Sequence, residues 1–204
     1  MRIVAIGYLS LFVLFGGAAQ AAAVIDGTYE GEGSGTCVVS QAGFNADFTP
    51  IIVAGQSAGA LPFTLRGTTT FDASTGTGVF QGNEAYAIDV VVPGSAQTYY
   101  FGLAGGRQTI KFKYTASTNA KGQTILKLTP NADGGEVLRI TTGTGAGDVS
   151  TASNGAQSKG IVTSSGAIVV DIEDPSVSTV ITQHPDGSSQ TVYQVCTYSG
   201  NLLP

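Results

Sequence analysis

The chain has 204 residues and a formal net charge of −5, with 42% hydrophobic and only 11% charged residues, 29 glycines, no tryptophan and one histidine. Charged residues make up about a quarter of an average soluble domain. This composition therefore excludes a coiled coil, a helical bundle and a nucleic-acid binder, and its mild hydrophobicity excludes a long disordered chain.

In chain order, residues 1–21 read as a secretory signal: Arg2 is the positive start, Ile3 to Phe15 is almost wholly apolar, and Ala19-Gln20-Ala21 is a small-x-small cleavage site. The apolar run is too short for a comfortable membrane span, although a retained anchor is the competing reading. The expected mature chain is one secreted or periplasmic domain, residues 22–204, with no membrane span. Export would place Cys37 and Cys196 in an oxidising compartment, where an even count favours a disulfide that ties the first strand region to the last.

Beyond the leader no window has a convincing 3.6-residue apolar period, whereas period two is common. Strands are predicted at Gly27–Ser34, Thr36–Ser40, Phe63–Phe71, Gly78–Val92, Gln97–Phe101, Ile110–Tyr114, Gln123–Thr129, Glu136–Thr141, Gly166–Ile172, Val177–Gln183 and Gln190–Thr197. Turn chemistry such as Ser74-Thr75-Gly76-Thr77 and His184-Pro185-Asp186-Gly187 separates them. The expected fold is all-β, a single antiparallel β-barrel of about 8–10 strands closed by a disulfide between terminal strands. Setting Ile110 opposite Leu128 and Phe112 opposite Leu126, then Leu126 opposite Ile140, keeps apolar residues on one face and predicts a meander over 109–141. Residues 143–160 are rich in Gly, Ala, Ser, Thr and Asn, show no strand period, and read as a flexible loop, either a lid or disorder.

The arm from Ser74 to Tyr86 contains Gly76-Thr77-Gly78-Val79-Phe80-Gln81-Gly82. It resembles the Gly-Thr-Gly-x-Phe-x-Gly segment of allene oxide cyclase-like and dirigent-type β-barrels. The resemblance implies an exported barrel of eight or slightly more strands, with an apolar lumen holding a small hydrophobic molecule and a bridge from a Cys near the start to one near the end. It carries over no catalytic residue, because it does not extend beyond the hairpin.

A four-residue loop at Ser74–Thr77 sets Phe71 opposite Phe80 and Gly67 opposite Glu84. A carboxyl among Phe, Leu and Tyr would be desolvated, its pKa raised, and so suited to act as a general acid or base; Glu84 is the catalytic candidate. The competing reading is a bulge that turns Glu84 outward to pair with Arg66. The registers of the meander also line up Lys111, Lys127 and Arg139 across three strands, either an anion-binding surface or a solvated outer face. Phe63, Leu65, Phe71, Phe80, Tyr86, Phe112 and Tyr114 are the candidate ligand-binding residues, with Gly67, Thr69 and Gly82 between them leaving room. His184 belongs to a tight turn, and no Gly-x-Ser-x-Gly elbow accompanies it.

No cofactor is expected: phosphate-loop and dinucleotide fingerprints are absent, and two Cys with one His at these spacings make no zinc site. The sequence thus points to an exported barrel that binds a small apolar ligand, with a cyclisation or isomerisation steered by shape as the reaction it would suit. The alternative is a secreted structural or adhesive surface protein, pilin- or matrix-like, without catalysis.

Overall fold

The computed structural model describes residues 22–54, 56, 58–91, 98–132 and 135–204. The expected leader lies outside them. Among the described residues the regular structure is entirely strand, in one antiparallel sheet of eleven. β1 (Gly27–Ser40), β2 (Ala58–Asp72), β3 (Thr77–Val91) and β4 (Thr98–Thr118) form a meander of long strands, and β11 (Ser189–Leu203) pairs back onto β1. Several predicted strands fuse here. Gly27–Ser34 and Thr36–Ser40 become β1, while Gln97–Phe101 and Ile110–Tyr114 become parts of β4, which is 21 residues long.

Six short strands complete the wall: β5 (Thr124–Pro130), β6 (Glu136–Gly143), β7 (Val149–Ser153), β8 (Gln157–Val162), β9 (Ile168–Asp174) and β10 (Ser178–Gln183). They are three broken staves. β5 pairs with the C-terminal half of β4 at Phe112–Thr118, and β6 runs on in the same direction along its N-terminal half at Ala104–Ile110. In the same way β8 pairs with β5 and β7 with β6, while β9 and β10 take successive stretches of β11. The ring therefore closes as eight staves: β1, β2, β3, β4, β5/β6, β7/β8, β9/β10 and β11. Each break has a local cause. Pro130 ends β5 and brings no backbone N–H to the ladder, Asn154 holds a φ of 58° before Gly155, and Pro175 follows β9.

This arrangement corrects the predicted meander. Leu126 does not oppose Ile140, because β5 and β6 share one stave and are not neighbours. The β4–β5 register is also displaced, with Tyr114 opposite Leu128 and Ala116 opposite Leu126. The displacement is an even number of residues, so the inward face is preserved. The predicted flexible loop over 143–160 is corrected as well: it contains β7 and the start of β8. Its alternation was hidden because the inward residues Ser150 and Ala152 are small and border open space. Gly160 is small because a Cβ there would lie 2.9 Å from Ile168 Cγ2 and 3.2 Å from Leu126 Cβ.

The bridge is where the sequence placed it. Cys37 on β1 lies directly opposite Cys196 on β11, and the two form a disulfide that joins the first strand to the last.

The interior is filled at one end. Ile25, Tyr29, Phe71, Phe112, Tyr114, Leu126, Leu128, Ile168, Val170 and Leu202 make one buried cluster. Phe71 is its hub, meeting Tyr29, Phe112 and Tyr114 edge-on at centroid distances of 5.5, 5.6 and 5.1 Å. Each such pair contributes about 0.5–1.5 kcal/mol beyond burial. Tyr114 also donates from its hydroxyl to the Ile25 carbonyl at 2.6 Å, which ties the segment before β1 across the end of the ring.

Candidate functional site

At the other end of the ring the described residues border open space. A cavity of about 450 Å³ opens above the packed floor, within the range of small-molecule sites. Alternation in the long strands supplies its wall: Phe63 and Leu65 on β2 face in while Pro62, Thr64 and Arg66 are exposed, and on β3 Glu84 and Tyr86 face in while Asn83 and Ala85 are exposed. Phe63, Leu65, Phe71, Phe80, Tyr86 and Phe112 all line the cavity. Tyr114 does not; it belongs to the floor.

The β2–β3 hairpin keeps its predicted face with a shifted register. Its loop is Ala73–Gly76, so Asp72 opposes Thr77, Leu65 opposes Glu84, and Gly67 opposes Gly82. Asp72 holds this turn by accepting from Ser74 and Thr75, and these bonds keep its carboxyl below the usual carboxylate range. The Gly67–Gly82 gap is not free room for a ligand. A Cβ on either glycine would strike the backbone of the opposite strand, so the pair allows close approach of the two chains.

Glu84 faces the interior, and no bulge turns it toward Arg66, which is exposed and opposite Asn83. Burial, reinforced by the negative charge of Glu136, raises its pKa to about 8. Glu136, at the start of β6, is the partner that the sequence reading missed. It lines the same cavity, and burial lifts its pKa too, opposed by a hydrogen bond from Gln108. The signal was available, since Glu136 shares parity with the inward-facing Leu138 and Ile140.

Gln108 sits on β4, the stave between the two glutamates, opposite Gly82 and Leu138. It is 3% exposed, and its Nε2 donates to Glu136 Oε1 at 2.9 Å. Its Oε1 is buried without a hydrogen-bond partner. Tyr86, two residues beyond Glu84 on the same face and farther from the floor, has its phenol pushed up to about 12 by burial and by the charges of Glu84 and Asp148. Toward the mouth, Asp148 is buried and lies 3.0 Å from His184 Nδ1. The turn at His184 is present, closed by Gly187 N–H to the His184 carbonyl at 3.0 Å, but its histidine also reaches across to the β6–β7 connection.

The basic residues do not form the predicted row. Lys111 opposes Val79, Lys127 lies between Thr115 and Lys159, and Arg139 lies between Arg107 and Val149. All three are exposed on the outer face, at different heights, because β5 and β6 occupy successive lengths of β4.

Comparison with known proteins gives no match. No family model, no curated protein and no solved structure is significantly similar to this chain. Chemically, the arrangement offers an apolar chamber with a cluster of hydrogen-bonding groups on one wall. Burial holds the Glu84 carboxyl in its protonated form to higher pH than an ordinary carboxylate, which suits it to donate a hydrogen bond or a proton.

Proposed function

We propose that this protein is an exported β-barrel that holds a small hydrophobic molecule in its lumen. The observation that carries the reading is the contrast inside the ring: one end is filled by aromatic and aliphatic side chains, and the other encloses about 450 Å³ lined by Phe63, Leu65, Tyr86, Leu138 and Val192. Interiors are normally packed to crystal-like density, so a chamber of this size in a small domain is a feature that needs a purpose. The reading also agrees with the resemblance of the Ser74–Tyr86 arm to allene oxide cyclase-like and dirigent-type barrels, and with a disulfide suited to an oxidising compartment. Should the protein transform its ligand, Glu84 is the acid or base, acting on a substrate held in one conformation by the chamber wall.

The alternative, a structural or adhesive surface protein, needs strand edges free to pair with other copies. The paired ring leaves β1 and β11 bonded to each other, which works against edge-to-edge assembly. Native mass spectrometry of the protein purified from its own host, followed by organic extraction, tests the proposal. A discrete small apolar adduct is expected on the monomer; a ladder of oligomers without adduct would favour the structural reading.

A further inference from the structure

We propose that the molecule held in the chamber is an apolar chain ending in a protonated amine, seated with its ammonium against Glu84, Gln108 and Glu136. The inference rests on the cavity-binding reading and names the ligand class of that site.

The wall chemistry is one-sided. Glu84, Glu136 and Asp148 bring carboxyl groups to the cavity, while no Lys or Arg is among its described lining residues. His184 is the one basic side chain there, and it is engaged at the mouth by Asp148. Gln108 supplies an independent indication. Its donor is committed to Glu136, and its carbonyl oxygen is left buried with nothing to accept from. An orphaned buried acceptor is destabilising, and a ligand donor would recover that loss.

A primary ammonium carries three N–H donors and one positive charge. It fits a site that presents two carboxyl groups and one unfilled carbonyl, and its charge offsets the burial and mutual repulsion that hold a proton on Glu84 in the empty cavity, so that the glutamates can ionise against it. A carboxylate head would bring a further negative charge to the same wall. An alcohol head would satisfy the carbonyl but supply no charge against which the glutamates could ionise. The Phe63, Leu65 and Leu138 side of the chamber then takes the hydrocarbon tail.

The test is isothermal titration of the full chain at pH 7.5 with three probes sharing one tail: n-decylamine, n-decanol and decanoate, each below its micelle concentration. The wild type, Glu84→Gln, Glu136→Gln and the double variant are compared. Wild type is expected to bind decylamine at least tenfold more tightly than decanol and a hundredfold more tightly than decanoate. The double variant should lose the preference for the amine while still binding decanol, which shows that its chamber is intact. Equal binding of amine and decanoate by wild type, or an amine preference that survives in the double variant, would overturn the inference and leave the cavity reading standing. Saturable binding of none of the three would overturn both.

Discussion

The two ends of the ring are built from the same long strands and held by different forces. At the floor, Phe71, Leu126 and Ile168 are almost fully buried, and three aromatic contacts converge on one ring. In the chamber the same strands β2, β3 and β4 turn inward Phe63, Leu65, Glu84, Tyr86 and Gln108, which border open space. The floor is stabilised by packing. The chamber depends more on its closed hydrogen-bond ladder and on the Cys37–Cys196 bridge across its last seam. Concentrating the packing at one end frees the other to carry groups that a filled core would exclude.

Substitutions at matched positions should expose this difference. Phe71→Ala removes the hub of the floor and should cost about 3–5 kcal/mol in chemical denaturation. Phe63→Ala, of the same chemistry but in the chamber wall, should cost less than half as much, since part of its surface already faces the cavity. Equal losses would mean that the chamber is as tightly packed as the floor. Removing the bridge with Cys37→Ser and Cys196→Ser should cost about 2–5 kcal/mol. Hydrogen exchange in that variant should rise first in Val38–Ser40 and Tyr193–Val195, beside the cavity, and only later around Leu202.

The carboxyl wall gives the next effect. Glu84 has a folded pKa of about 8 against an ordinary 4.5, so the folded state retains its proton over an interval where the unfolded state has lost it. Its contribution to stability is complete below pH 4.5 and is lost as pH rises to about 8, at up to ~1.4 kcal/mol per pH unit. Glu84→Gln should flatten that slope, matching wild type near pH 4 and exceeding it at pH 9. A parallel slope in both proteins would place the Glu84 carboxyl in water. The smallest effect is expected outside the ring: Lys127→Glu, on the exposed face, should change stability by no more than about 0.5 kcal/mol. It should also leave retention on an acidic glycan column unchanged, whereas lost retention would revive an anion-binding surface there.

Much of this contrast was legible in the sequence. Alternation in Phe63–Phe71 and in the arm after Gly78 assigned the inward face correctly, and the cysteine pair forecast where the ring is stapled. What escaped was register and continuity. An even-numbered slip leaves every side chain on its original face, so the apolar pattern cannot separate Gly67 opposite Glu84 from Gly67 opposite Gly82; the turn decides, and Asp72 makes it one residue earlier. Broken staves were illegible for a related reason. A strand of 21 residues can host two short partners end to end, and nothing local to β5 or β6 reports that they share one neighbour. The polar wall of the chamber was half visible. Glu84 stood out against its aromatic neighbours, whereas Glu136 and Gln108 were masked by the assumption that inward positions are apolar.

We propose that the upper half of the ring encloses a binding chamber. Titration with the apolar fluorophore N-phenyl-1-naphthylamine tests it most directly, comparing wild type with Leu138→Trp, which inserts an indole into the cavity wall. Saturable binding of one probe per chain with a blue-shifted emission is expected, weakened at least tenfold when the indole fills the space. Absence of saturable binding, or binding indifferent to Leu138→Trp, would contradict it.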